Sequence, residues 1–155
     1  MKLLHLANWN STNIGNGALV FGTERVLRED IDANMQFTPE PWDEYVIENT
    51  PGPRKFDETF VDLVNKHDGL LVGGAVTFNG RAPLTGAGMR FDLPVALWQK
   101  ITKPIIFYGN SYRFWHDQPY HNLERLREVV QYIIKTPTVF FGVRNDGTKP
   151  FLESL

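Results

Sequence analysis

The sequence predicts an α/β fold with a Rossmann-like, doubly wound and mainly parallel sheet of about five strands, in a single domain spanning residues 1–155. Two observations lead to this prediction. A short apolar run closed by glycines, Leu70-Leu71-Val72 before Gly73-Gly74, is typical of a strand that is buried on both faces. Such runs alternate with segments whose apolar residues recur at helical spacing. Strands that alternate with helices favour a parallel sheet covered on both faces.

The elements follow one another without an internal repeat. In the first half we predict a strand from Lys2 to Trp9, a helix beginning after Gly15-Asn16, a strand from Asn34 to Thr38, a proline-rich connection to Arg54, a helix from Phe56 to about His67, and the strand ending at Gly73. In the second half we predict a long loop from Ala75 to Asp92, a short helix from Pro94 to Ile101, a strand from Pro104 to Tyr108 ended by Gly109, a helix from Leu123 to Ile134, a strand from Thr138 to Val143, and a last helix capped by Asp146. Ligands of doubly wound sheets bind beyond the carboxyl ends of the strands, so the loops at that edge are where chemistry is expected.

Composition excludes several classes of function. The chain has a formal net charge of −2 and no run of lysine or arginine, which disfavours nucleic acid as a partner. It has no cysteine, so disulfides, zinc–thiolate sites and thiol nucleophiles are excluded. No pair of histidines has the spacing of a zinc helix, so no metal is expected. No signal-peptide pattern or long apolar stretch is present, and we predict no membrane span and a cytoplasmic location.

The loop after the first strand is a candidate anion site. Asn13, Gly15 and Asn16 stand where small residues let a ligand approach the backbone at the start of a helix, whose free N–H groups favour a phosphate or carboxylate. The alternative is that Asn16 is only an N-cap and the glycines only make the turn. The loop lacks the dinucleotide fingerprint and the Walker lysine, which argues against nicotinamide and P-loop chemistry.

Two further positions at the carboxyl edge are candidates for holding an anion. Gly73 and Gly74 let a ligand or a neighbouring loop come close to the backbone. Arg144 follows the last strand directly, and its guanidinium can grip a carboxylate or phosphate through two parallel hydrogen bonds. The alternative for Arg144 is a salt bridge with Asp146 or Glu153.

The segment after the predicted strand from Pro104 to Tyr108 is rich in aromatic residues and is a candidate acceptor site. Tyr112 and Trp115, with Arg113 and His116 beside them, offer ring faces that can stack on a sugar, although a core or interface role for most of them is the alternative. An isolated loop histidine such as His116 is either an acid or base or simply solvated. His5, in a buried strand, is predicted to be a hydrogen-bonded core residue. No serine-hydrolase signature is present, and the catalytic residues stay unidentified.

Four blocks of the sequence, taken together, resemble the polysaccharide pyruvyl transferase family. They are Asn13-Ile-Gly-Asn-Gly-Ala-Leu-Val20, Asp68-Gly-Leu-Leu-Val-Gly-Gly74, Lys103-Pro-Ile-Ile-Phe-Tyr-Gly109 and Phe141-Gly-Val-Arg-Asn-Asp-Gly147. Their order and spacing match, and the resemblance spans nearly the whole chain. It implies a domain similar to the N-terminal half of the two-domain glycosyltransferase-B architecture, whose second half contributes a histidine and further basic residues.

The resemblance also implies an activity. Members of the family transfer pyruvate from phosphoenolpyruvate onto two hydroxyls of a sugar, as a cyclic ketal, in exopolysaccharide biosynthesis, and no cofactor is implied. It places Arg144 on the anionic donor and Asn13, Gly15 and Asn16 in the N-terminal glycine loop. Asn16 and Asn145 stand where the family often has aspartate, so a role that needs a carboxylate there is not supported.

Because the second half is missing from these residues, we expect the chain to be incomplete alone and to need a second domain or a partner copy. Two alternatives stay open: a non-catalytic binding or assembly module, and half of a nucleotide-sugar glycosyltransferase.

Overall fold

The computed structural model describes residues 1–47, 50–74, 76–80, 86–113, 119–144 and 147–155. The strands in these ranges are β1 (Lys2–Ala7), β2 (Gln36–Pro41), β3 (Val46–Ile47), β4 (Thr50–Pro51), β5 (Gly69–Gly73), β6 (Val76–Asn79), β7 (Ile105–Arg113) and β8 (Val139–Val143). The α-helices are α1 (Ile14–Asp30), α2 (Glu58–Asn65), α3 (Val95–Trp98), α4 (Leu123–Ile133) and α5 (Thr148–Glu153). None of the described helices is both long enough and apolar enough to cross a membrane.

The central sheet is parallel at every described pairing and runs in the order β2-β1-β5-β7-β8. β6 continues β5 alongside β7, because Gly73 pairs with Tyr108 and Val76 pairs with Ser111, three residues further along each strand. Counting β5 and β6 as one position gives the strand order 2-1-3-4-5, a doubly wound order whose ligand-binding switch point lies between β1 and β5. The predicted doubly wound, mainly parallel sheet of about five strands is thereby confirmed.

The two faces of the sheet are covered unequally. The larger core packs α2, α3 and α4 on one face, with a cluster of rings centred on Phe91 and Phe107. The smaller core lies under α1 on the other face, where Leu27 contacts the cluster of Leu3 and Leu71. Because side chains of a strand alternate between faces, Tyr108 and Phe140 lie on the α1 face, where both are exposed.

Several element boundaries differ from the sequence prediction. Helix α1 begins at Ile14, before Gly15 and Asn16. Strand β2 runs through two prolines to Pro41, which is possible because it is an edge strand of the described sheet and a missing N–H costs little there. Strand β6 lies inside the predicted long loop. The N-cap of α5 is Gly147 and not Asp146, a residue outside the described ranges.

The largest difference is that β7 does not end at Gly109. Gly109 has φ +65° and forms a bulge, and the strand then continues to Arg113. The extra residue reverses the alternation, so Asn110 and Tyr112 point to the same face as Phe107. Asn110 is fully buried and donates to the Val72 carbonyl at 2.8 Å, which joins the extended part of β7 to β5.

Candidate functional site

The switch point between β1 and β5 is closed by a tight contact with α1. Gly74, at the end of β5, has φ +46°, and a Cβ there would lie 2.7 Å from the Leu19 Cβ of α1. A Cβ at Gly73 would lie 2.5 Å from Nε2 of His5. The two glycines are therefore required by the close packing of α1 and His5 on β5, whether or not a ligand also uses them.

The start of α1 is capped by its own chain. The Oδ1 atom of Asn13 accepts from the Gly15 amide at 2.8 Å, and the Asn13 carbonyl accepts from the Asn16 amide at 3.0 Å. The interpretation of Asn16 as N-cap is wrong, since Asn13 has that role and the Asn16 side chain donates to Ser11 Oγ at 2.7 Å. An anion at this helix end has to displace the Asn13 side chain, and the Gly17 amide is not free to bind it, because that amide donates to the Asn13 carbonyl at 3.3 Å, although a Cβ at Gly17 would meet no atom within 4 Å.

Arg144 lies on the α1 face of the carboxyl edge. It directly follows β8, its amide donates to the Asn110 carbonyl at 3.0 Å, and its side chain is exposed. Phe141 belongs to the opposite core, so alternation directs Arg144 to the face that α1 covers. Among the described residues, Arg144 forms no ion pair with Glu153, which instead pairs with Lys149 at 3.7 Å. Asp146 lies outside the described residues.

An open strip of sheet separates the two predicted anion-binding groups. Helix α1 contacts the end of β5 through Leu19, and Arg144 lies two strands further across the sheet, a lateral offset of about 10 Å at the usual strand spacing. The floor between them is formed by Tyr108, Gly109 and Gly142, and a Cβ at Gly109 would meet nothing within 4 Å. The sheet edge therefore brings Arg144 and the α1 start to one face with accessible backbone between them.

Of the predicted acceptor residues, Tyr112 does not join this strip. Tyr112 points to the opposite face and stacks on Phe151 with ring centroids 5.0 Å apart, and its amide donates to Thr148 Oγ1 at 3.0 Å. Arg113 ends β7 and pairs in register with β6. Trp115 and His116 lie outside the described residues. Tyr112 thus has a packing role in the described structure.

His5 is a hydrogen-bonded core residue, as predicted. Its Nδ1 lies 2.9 Å from Oε1 of Glu24, and Oε2 of Glu24 accepts from Arg28 at 3.1 Å. A carboxylate only accepts hydrogen bonds, so the neutral ring carries its proton on Nδ1. Burial lowers the pKa of His5 below its usual value, although Glu24 opposes this shift. One feature of the sequence could have indicated Glu24: its carboxylate lies within the apolar stripe that Val20 and Leu27 form on α1.

The lowered pKa of His5 predicts a loss of stability in acid. The unfolded chain takes up a proton on this residue as the pH falls through about 6.5, while the folded chain resists doing so. The contribution of His5 is therefore complete above that pH and is lost below it. We expect the urea unfolding midpoint of the wild type to fall more steeply than that of His5→Gln when the pH is lowered from about 7.5 to about 5. This range extends about one to two pH units to either side of 6.5. Parallel pH profiles for the two proteins would contradict this.

A second cluster, on the α2 face of the same edge, was missed by the sequence analysis. The Tyr45 hydroxyl donates to Glu40 at 2.5 Å, Arg54 pairs with the same carboxylate, and burial with the Glu40 contact raises the pKa of Tyr45. Beside them lies a cavity of about 350 Å³, whose lining includes Lys55 and Asp92. Asp92 accepts from the Gly86 and Ala87 amides, so it fixes one wall. These residues are far apart in sequence, and only the fold brings them together.

Comparisons with known proteins give no relative: no family model, no curated protein and no solved structure matches the chain. Within the described ranges, no group of three or more histidine, aspartate and glutamate side chains is arranged to hold a metal ion.

Proposed function

We propose that this chain is the donor-binding half of a polysaccharide pyruvyl transferase, which binds phosphoenolpyruvate at the carboxyl edge of the sheet. The observation that carries the proposal is the position of Arg144, which is exposed and directly follows β8, so that strand alternation directs its side chain to the face that carries α1. Phosphoenolpyruvate has a carboxylate and a phosphate. A guanidinium binds either of them through two parallel hydrogen bonds.

The strip between Arg144 and α1 suits a small anion in its shape. The backbone at Gly109 is accessible, since a Cβ there would meet no atom within 4 Å, and the space over Gly17 at the helix start is also open. The lateral offset of about 10 Å between β5 and β8 is comparable to the size of a small anion together with the reach of an arginine side chain.

The proposed reaction joins the central carbon of phosphoenolpyruvate to two sugar oxygens and breaks its bond to phosphate. One hydroxyl proton ends on the methylene carbon, which becomes a methyl group, and the other ends on the departing phosphate. The step needs groups that move these protons. By the family resemblance, a histidine of the second domain is the candidate, so the present residues are proposed to bind the donor without completing catalysis.

A thermal-shift titration tests donor binding. Phosphoenolpyruvate at a hundredfold excess over its Kd is expected to stabilise the wild type by about 2.7 kcal/mol, which raises Tm by roughly 5–10 °C. Arg144→Ala is expected to weaken binding by about tenfold or more, because it removes charged hydrogen bonds. Arg125→Ala is the matched control, since Arg125 is also exposed but lies on α4, on the opposite face.

Three results would contradict the proposal: no stabilisation by phosphoenolpyruvate, equal stabilisation of Arg144→Ala, or equal weakening by Arg125→Ala. Stabilisation by a nucleotide sugar such as UDP-glucose alone would instead support the glycosyltransferase alternative.

A second candidate function is a non-catalytic binding or assembly module. The uncovered sheet face favours it, because Phe140 is 55% exposed and Tyr108 is 36% exposed on adjacent strands. Concentration-dependent dimerisation that Phe140→Ala abolishes, without any response to phosphoenolpyruvate, would favour this function over the first.

A further inference from the structure

Two aromatic rings form an accessible corner at the carboxyl end of β1. Trp9 and Phe21 have ring centroids 6.2 Å apart and perpendicular planes, at 90°. Phe21 is 67% exposed on the surface of α1, and Trp9 is half-buried. An accessible ring face beside a second ring can receive the apolar face of a sugar ring, with the second ring limiting its position.

The Trp9 side of this corner is held in place before any ligand binds. Its indole N–H donates to the His5 carbonyl at 2.9 Å, and its ring meets the His5 ring edge-on with centroids 5.2 Å apart. His5 is in turn fixed by Glu24. A ring positioned in this way loses little conformational freedom on binding, which favours affinity.

The surrounding segment has the chemistry of a neutral sugar site. Residues 8–13 are Asn-Trp-Asn-Ser-Thr-Asn, which carry amides and hydroxyls and no charge, and Arg25, one turn after Phe21 on α1, is already paired with Glu29 at 2.7 Å. Asn10 and Thr12 are exposed beside the corner. Amide and hydroxyl groups both donate and accept, as sugar hydroxyls do, whereas an anionic surface or an acidic peptide calls for lysine and arginine.

The corner lies on the opposite flank of α1 from Arg144. Phe21 precedes Arg28 by seven residues, about two turns, and the Arg28 guanidinium lies 4.7 Å from the centroid of the Phe37 ring of β2. This flank of α1 therefore faces β2, while Leu19 contacts Gly74 on the β5 side. A sugar at the corner is separated by α1 from an anion at Arg144.

From these observations we infer that Trp9 and Phe21 form a stacking subsite for one sugar unit of the glycan acceptor. This inference rests on the proposed function for the nature of the acceptor. Because α1 lies between the corner and Arg144, the bound unit is not the one that receives pyruvate. The subsite holds the glycan chain. It takes the stacking role that the sequence analysis assigned to Tyr112, whose ring is packed on Phe151.

Saturation-transfer NMR tests the subsite with defined probes: the methyl glycosides of glucose, galactose and mannose, and the disaccharides cellobiose and lactose. We expect transfer to at least one probe, and a two- to tenfold weaker affinity (roughly, for one aromatic contact) in Phe21→Ala. Phe140→Ala is the matched control, because Phe140 is another exposed phenylalanine and its loss should leave the affinity unchanged. Since both rings are exposed, both variants should fold, and circular dichroism checks this.

The inference is overturned if no probe receives saturation, if Phe21→Ala binds as the wild type does, if Phe140→Ala weakens binding equally, or if Phe21→Ala changes only the oligomeric state. Phosphoenolpyruvate titrations on the same proteins separate the two proposals. A response to phosphoenolpyruvate without sugar binding overturns the subsite alone. Sugar binding that Phe21→Ala weakens, without that response, supports the subsite and overturns the donor function.

Discussion

Gly74→Ala is expected to lower the free energy of unfolding by about 2–5 kcal/mol. Part of the cost comes from the left-handed backbone at φ +46°, which a Cβ disfavours by about 1–2 kcal/mol. The rest comes from overpacking, about 1–3 kcal/mol, because the new Cβ would lie 2.7 Å from the Leu19 Cβ. The Leu19 Cβ cannot rotate away, so α1 has to shift. Urea unfolding monitored by circular dichroism measures the effect.

Gly22→Ala provides a control of opposite sign. Gly22 lies within α1, and a Cβ there would meet no atom within 4 Å. Alanine is preferred to glycine inside a helix by about 1 kcal/mol, so this variant should be slightly more stable. If Gly74→Ala were as stable as the wild type, the close contact between α1 and the end of β5 would be disproved.

Phe91→Ala is expected to cost about 3–5 kcal/mol. Phe91 is fully buried and meets Phe56, Phe60 and Trp98 with ring centroids between 4.8 and 5.6 Å apart. Removing the ring leaves a cavity among large aromatic side chains that cannot collapse into it without losing their own contacts. The unfolding free energy from urea titration is the measurement.

The control for Phe91→Ala removes an equal number of atoms from the surface. Phe140→Ala takes away a ring that is 55% exposed and should change stability by less than about 1 kcal/mol. Equal losses for the two variants would mean that the aromatic cluster around Phe91 is not the main core.

Local patterns predicted most of the sheet. The continuous apolar run at β5 and the helical spacing of α4 gave elements within one or two residues of those observed. Strand β6 was missed because Val76–Asn79 sits among turn-forming residues and pairs only with the far end of β7. That pairing exists because the bulge at Gly109 lets β7 continue, and a glycine after an apolar run more often ends a strand.

Topology indicates the edge of the sheet at which a site is expected, but it does not give the details of the candidate site. Topology alone directs Arg144 to the carboxyl edge, and the structure agrees. The face to which Tyr112 points depends on the register shift at Gly109, which the sequence does not reveal. Likewise, Asn13 and Asn16 are equally good capping residues. The choice of Asn13 depends on where Ser11 holds the Asn16 side chain.

Strand β8 has a consequence for how the protein associates. It is an edge strand of the described sheet, and its sequence, Val-Phe-Phe-Gly-Val, carries no charge and no proline. Unpaired edge amides next to exposed apolar rings are a template for strands of other molecules, and natural proteins usually protect such edges with lysine, proline or a covering segment. In this chain, Arg144 and Lys135 are the nearest described charges along the sequence on either side. Edge-to-edge aggregation at high concentration should therefore start at β8.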